Sequence, residues 1–185
     1  YLWLIDPIDG TKAFVRGYPI FSVQMALMFK GELILGVSYA PLWNGGRGEL
    51  AYAVKGRGAM LNGEKIQVST IGELAKATVS TGNIASLTSD AQLWQGLGSL
   101  IRSTHRIRGY GDFLHYHFLA SGKVDVVVES DVNILDIAAL AVIVREAGGT
   151  FTQLDGSELN LQTKQVFASN GKVGEAALKI LKGGQ

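Results

Sequence analysis

Leu4-Ile5-Asp6-Pro7-Ile8-Asp9-Gly10-Thr11 is the stretch on which the reading of this chain turns. The run Leu2–Asp6 is apolar and ends in an acid, the pattern of a short buried strand. A turn dense in punctuating residues follows, and Lys12–Val15 has room for one helical turn. Two carboxylates at a strand end, with Pro7 fixing one backbone torsion between them, can converge on a common point. The Ile8 carbonyl, turned the same way, adds a third oxygen, and hard cations such as Mg²⁺ take such donors. Gly10 and Thr11 sit where a helix begins, so their N–H groups can receive a phosphate oxygen. A plainer reading, an Asp-Pro turn followed by an Asp-Gly turn, stays open at this level.

Outward from that motif, the first half of the chain reads as a meander. Phe21–Phe29 and Leu33–Tyr39 are β-rich runs joined around Lys30-Gly31-Glu32, and Glu49–Val54 is a further strand before a turn at Asn62-Gly63. The second half alternates. Strands are predicted at Ala77–Thr81, Arg106–Tyr110, Val124–Glu129, Thr150–Gln153 and Gln165–Ser169. Helices are predicted at Asp90–Arg102, Asp112–Ala120 (opening on an N-cap acid), Asp136–Ala147 and Val173–Leu181, with Gly148-Gly149 ending the third. The fold class expected is α/β, a layered sandwich with an antiparallel-sheet half followed by a mixed α/β half. The boundary is placed near Ser69–Leu74, giving domains at 1–72 and 73–185.

Composition narrows the function classes. With 47% apolar and 18% charged residues among 185, disorder is excluded for most of the chain. Lys plus Arg is 17 against 16 for Asp plus Glu, so no charge surplus recommends a polyanionic partner. The local cluster of Arg102, His105, Arg106 and Arg108 reads as a solvated edge or subunit contact rather than a nucleic-acid patch. Without cysteine there is no thiolate metal site and no cysteine nucleophile. The most apolar runs, Val124–Val128 and Ile134–Val144, are too short to span a bilayer, and Asp136 interrupts the second. Neither a signal peptide, a nucleophile elbow nor a Walker loop is visible.

Two other positions carry candidate chemistry, and two histidines do not. Asp136 opens a strongly apolar helix, as an N-cap or as a ligand whose carboxylate points out of the helix start. Glu129 ends the most apolar strand, as a solvated acid or as a substrate contact. His115 and His117 lie two apart on a predicted helix and so cannot share a face as metal ligands four apart do.

These residues carry a family resemblance. Leu4–Thr11 followed by Phe14 resembles the first signature of the inositol monophosphatase family. Leu135-Asp136-Ile137-Ala138-Ala139, running on to Glu146-Ala147-Gly148-Gly149, is similar to its second signature, which usually has Trp before the Asp. Tyr110-Gly111-Asp112, together with Thr11-Lys12-Ala13-Phe14 in place of Thr-Thr-Asn-Phe, leans toward the histidinol-phosphate phosphatase branch. The resemblance implies Mg²⁺-dependent hydrolysis of a small phosphate monoester, histidinol phosphate first, with inositol 1-phosphate or another sugar or nucleotide phosphate as the alternative. It implies Asp6, the Ile8 carbonyl, Asp9 and Asp136 as metal ligands, with Asp9 and Thr11 catalytic. Gly10, Thr11, Asp112, Glu129 and Asp136 are implied as substrate-binding residues. A cytoplasmic homodimer in histidine biosynthesis, binding a small phosphorylated metabolite but neither nucleic acid nor membrane, completes the expectation.

Two departures matter. Leu135 in place of Trp alters packing beside a ligand. The family's additional metal-binding glutamate, from a Gly-Glu-Glu stretch before the first signature, has no counterpart here, and the chain opens on Tyr1 inside a predicted strand. The chain is therefore expected to be the C-terminal part of a member, with an uncovered sheet face, weakened metal binding and little or no activity.

Overall fold

The structure is a computed structural model that describes residues 1–184. Six strands form an antiparallel meander: β1 (Leu2–Asp9), β2 (Ser22–Phe29), β3 (Glu32–Ala40), β4 (Glu49–Val54), β5 (Ala59–Leu61) and β6 (Glu64–Ile66), hydrogen-bonded in that order. The short helix α1 (Thr11–Val15) leaves β1. A second, five-stranded sheet has the order β10 (Thr150–Gln153), β11 (Gln165–Ser169), β9 (Val126–Ser130), β7 (Thr78–Gly82), β8 (Arg106–Arg108), with β7 parallel to both β8 and β9. Helices α2 (Ala91–Arg102), α3 (Asp112–Ala120), α4 (Ile134–Glu146) and α5 (Gly174–Leu181) complete the chain.

The layers follow from side-chain size. The inner face of the meander is lined by Ala26, Ala40, Ala51, Ala53 and Ala59, all buried, which lets α4 lie close against the sheet. The contact is tightest at Gly36, where a Cβ would stand 2.3 Å from the Ala139 carbonyl oxygen. Helix α4 is apolar on nearly every side, with Ile137 to Val144 continuously buried, because it packs on the meander, on α3 and on β10. A helix hydrophobic all round belongs in the middle of a structure. One core cluster therefore joins residues from both sides of the expected boundary at Ser69–Leu74: Ala26 and Ala53 with Phe113, Leu140 and Phe151. A second cluster, on the far face of the five-stranded sheet, packs Val126 and Val128 under Leu97 and Leu100 of α2 and Ala177 and Leu181 of α5. The outer face of the meander carries exposed Trp3, Ile5, Tyr39, Tyr52 and Val54.

The structure adds β5 and β6, two three-residue strands flanking the Asn62-Gly63 turn that the sequence reading left out, and corrects three element ends. Helix α4 starts at Ile134, before Asp136, because Asn133 takes the N-cap and its side chain accepts from Leu135 N. Asp112 opens α3 at φ 47°, but Gly111 is the cap residue and no side-chain cap bond forms. Strand β1 runs on to Asp9, through the segment expected to be a turn, and carries a bulge there.

Candidate active site

That bulge positions the first two carboxylates. In a regular strand, residues three apart face opposite sides. Here Asp6 pairs with Gln24 and Asp9 pairs with Ser22, so β1 advances one residue more than β2. The extra residue returns Asp9 to the same side as Asp6. Gly10 then turns the chain into α1 at φ 81°, with no room for a side chain, since a Cβ would meet the Ile20 carbonyl at 2.9 Å. Asp136 arrives from the first turn of α4, fixed by a capping box with Asn133. Asn133 N donates to its Oδ2 at 2.9 Å, and Asn133 Nδ2 donates to its Oδ1 at 2.8 Å.

The three carboxylates each place one oxygen within 4.8 Å of the others. They line an open cleft of about 810 Å³ together with Ile8, Thr11, Lys12 and Asp112. Burial, then the charges of Asp112 and Asp136, push the Asp9 carboxyl from 3.8 up to about 8, with Asp6 adding and the Ser22 hydrogen bond opposing. Burial likewise lifts Asp136 to about 6; the facing Asp6 adds to this and the Asn133 hydrogen bonds oppose it. Among the described residues, none of the ion pairs includes Asp6, Asp9 or Asp136. Converging carboxylates with no ion-paired partner and strained ionisation suit a hard divalent cation, which takes oxygen donors and inverts the local electrostatics.

The surrounding groups are ordered by local bonds. Thr11 Oγ1 donates to the Ile8 carbonyl at 2.9 Å, and Ile8 N donates to Asp6 Oδ1 at 2.9 Å. The Ile8 oxygen keeps its second lone pair for a ligand. The N–H groups of the first turn of α1 lack partners within the helix, as at any helix start. Behind the carboxylates lies a chamber of about 20 Å³ bordered by Asp112, Tyr116 and Glu129. Glu129 is no solvated strand end: it is 2% exposed, and its Oε2 meets His115 Nε2 at 3.1 Å and accepts from the Tyr116 hydroxyl at 2.7 Å. Gly82 makes the room, since a Cβ there would stand 2.2 Å from Glu129 Oε1. Burial and the nearby Glu129 charge raise the Asp112 carboxyl, against His115 and Lys12.

Comparison with known proteins gives the family. The family model described as the inositol monophosphatase family matches residues 1–183. The chain belongs to the inositol monophosphatase family. It is 39% identical over 181 residues to the fructose-1,6-bisphosphatase/inositol-1-monophosphatase of Thermotoga maritima, covering 97% of this chain and 67% of that protein. It is 36% identical to the histidinol-phosphatase of Mycobacterium tuberculosis, covering 98% of this chain and 70% of the relative. Among solved structures, the T. maritima IMPase superposes with a TM-score of 0.84 at 39% identity, covering 98% of this chain and 68% of the other. The Anabaena inositol monophosphatase superposes at 0.87 with 30% identity, covering 100% and 72%. As a member of this family, the chain is a phosphoric monoester hydrolase with an α/β fold.

For this inositol monophosphatase family member, the structure brings Asp6, Asp9, Asp136, Ile8, Gly10, Thr11 and Asp112 to one cleft. Glu129 stands behind it, in the inner chamber. His115 and His117 turn to opposite sheets: His115 toward Ser80 and Glu129, His117 toward Ser38 and Glu49. Sequence reasoning missed Asn133, although its place three residues before Asp136 is the spacing of a capping box. It also missed Ser22, the only side-chain donor to Asp9 among the described residues, for which no local signal exists. No helix among the described residues is long and apolar enough to cross a membrane.

Proposed function

We propose that the chain hydrolyses histidinol phosphate, using Mg²⁺ held by Asp6, Asp9, Asp136 and the Ile8 carbonyl. The convergence of the three carboxylates, none of them in an ion pair among the described residues, carries this reading. A divalent cation bound there supplies Lewis acidity toward phosphoryl oxygens and makes water acidic enough to attack near neutral pH. The chain's own residues would do the positioning. Because the Thr11 hydroxyl proton is committed to the Ile8 carbonyl, its oxygen presents lone pairs and would orient the attacking water as an acceptor. The Gly10 and Thr11 N–H groups would hold phosphoryl oxygens, in line with the loose charge distribution of phosphoryl transfer. Asp9 and Asp136 would fix the cation while their hydrogen-bond partners hold their orientation.

The leaving group is read from the acids beside the cleft. Histidinol carries a cationic amine and an imidazole, and Asp112 at the cleft wall with Glu129 in the chamber behind it offers complementary charge. The similarity to histidinol-phosphatases of M. tuberculosis and Streptomyces coelicolor, each at 36% identity, supports the same branch. The likeness to the T. maritima protein at 39% favours a second reading, an inositol or fructose phosphate as substrate. A cytoplasmic homodimer belongs to the proposal on the ground of the resemblance alone, and sedimentation measures that stoichiometry.

Phosphate release from histidinol phosphate, inositol 1-phosphate and fructose 1,6-bisphosphate, with Mg²⁺ and with excess chelator, tests the proposal. In place of the little or no activity expected from the sequence alone, the convergence of Asp6, Asp9 and Asp136 leads us to expect Mg²⁺-dependent turnover, with the highest kcat/KM for histidinol phosphate. Asp112→Asn, whose side chain tolerates the positive φ, should lower that kcat/KM about tenfold, the scale of one charged contact, and leave inositol 1-phosphate little changed. Undiminished turnover in chelator refutes the cation; preference for inositol 1-phosphate refutes the branch.

A further inference from the structure

A line of buried side chains leaves the back of the site and crosses the inner face of the meander. Ser22 Oγ donates to Asp9 Oδ2 at 3.0 Å. Gln24 Nε2 donates to Ser22 Oγ at 2.8 Å and to Ser38 Oγ at 3.0 Å. Ser38 Oγ meets His117 Nε2 at 2.8 Å, and His117 Nδ1 meets Glu49 Oε1 at 2.7 Å. Ser22, Gln24 and Ser38 are fully buried, His117 is 1% exposed, and Glu49 closes the line at 8%. The strand register places Ser22 opposite Asp9 and Ser38 opposite Gln24, while α3 lowers His117 onto them, steadied edge-on by Phe113.

The two ends determine where the protons lie. With Asp9 accepting, the Ser22 proton goes to it, and Ser22 must accept from Gln24. Both protons of the Gln24 amide nitrogen are then used, so Ser38 also accepts from it, and the Ser38 proton has His117 Nε2 as its acceptor. Nε2 is therefore bare, and the ring proton sits on Nδ1, donated to Glu49. The order leaves one buried atom without a partner, Gln24 Oε1, alone of its kind among the described residues. Buried polar atoms are nearly always satisfied, so an arrangement that retains this one calls for a reason. Turning the amide over would give that oxygen both hydroxyl protons, but it would strip Asp9 of its donor.

We propose that Ser22, Gln24, Ser38, His117 and Glu49 are a positioning relay that holds Asp9 by one oxygen and leaves its other oxygen to the cation. The form of the relay rests on hydrogen-bond geometry; its consequence for the site rests on the reading of Asp9 as a cation ligand. None of the five lines the cleft. Their effect passes through Ser22, as with outer partners that orient ligating carboxylates.

Two measurements on the full chain test this. In the ¹⁵N-labelled protein with saturating Mg²⁺, long-range proton–nitrogen correlations of the His117 ring should show a protonated Nδ1 and a bare Nε2. A proton on Nε2, alone or together with one on Nδ1, overturns the relay. Calorimetric Mg²⁺ titration then follows Ser22→Ala, Ser38→Ala and the double variant. Each single change should weaken Mg²⁺ binding about tenfold, as loss of an outer partner does. The double variant should be no weaker than Ser22→Ala alone, because the line is already cut at Asp9. Independent, additive losses, or unchanged affinity in Ser38→Ala, overturn it. A chain that binds no Mg²⁺ refutes the cation reading instead, and the ring correlations, recorded without the metal at a pH above 8 where Asp9 is ionised, still decide the relay.

Discussion

Asp9→Asn should stabilise the metal-free protein at neutral pH, and the size of the gain follows from burial. The folded chain raises the Asp9 carboxyl from 3.8 to about 8, chiefly by desolvation and then by the charges of Asp112 and Asp136. Folding therefore takes up a proton at this group. Below pH 3.8 both states hold it and the group costs nothing; as pH rises toward 8 the unfolded chain ionises freely, the folded one does not, and stability is lost. At 1.36 kcal/mol for each tenfold change in proton affinity, the loss by pH 7 is on the order of 4 kcal/mol. Asparagine keeps the shape, still accepts from Ser22 and carries no charge. Because Asp6, Asp112 and Asp136 remain around it, we expect about half to be recovered, a rise of about 4–8 °C in Tm for a chain of this size. The assay is a series of thermal melts in chelator at pH 4, 5.5, 7 and 8.5. The two proteins should coincide at pH 4 and diverge as pH rises, with the variant the more stable. With Mg²⁺ added the order should narrow or reverse, since a ligand that binds only the folded state stabilises by about 2.7 kcal/mol at a hundred times its Kd. A variant equally or less stable than the unsubstituted chain at pH 8.5 in chelator would refute the reasoning.

Two further perturbations probe the scaffold. Gly36→Ala puts a Cβ 2.3 Å from the Ala139 carbonyl oxygen, backbone that cannot swing aside, so urea unfolding should show a loss of about 3 kcal/mol, the cost of overpacking. Asn133→Ala removes the side-chain cap of α4 and the Nδ2 bond to Asp136 Oδ1, while the backbone N–H bond to Asp136 Oδ2 survives; stability should therefore fall by only about 1 kcal/mol. Mg²⁺ affinity measured by calorimetry should fall about tenfold, as expected for a ligand losing an outer partner.

Much of this molecule is written locally. The alternation that buries Ala26, Ala51 and Ala53 under α4, the Asp90 cap of α2, and the strands Thr150–Gln153 and Gln165–Ser169 all depend on neighbours a few residues away, so the sequence alone determines them. The closeness of Asp6 and Asp9 in the chain and the presence of Asp136 on an apolar helix were legible for the same reason, as was an acidic cluster able to hold a metal. What the linear order cannot determine is which way those groups face. A regular strand would have separated Asp6 from Asp9; the one-residue excess against β2 unites them, and that excess is a property of strand pairing. Asp136 joins them only because α4 is pinned to Gly36 and started at Asn133. Glu129 read equally as a solvated acid or a contact until Gly82, His115 and Tyr116 closed around it. His117 and Ser38, 79 residues apart, become partners only when α3 lies on the meander. Local propensity sets the elements, whereas the convergence of charge that makes a site is set by register and packing between segments remote in the chain, and so belongs to the tertiary structure.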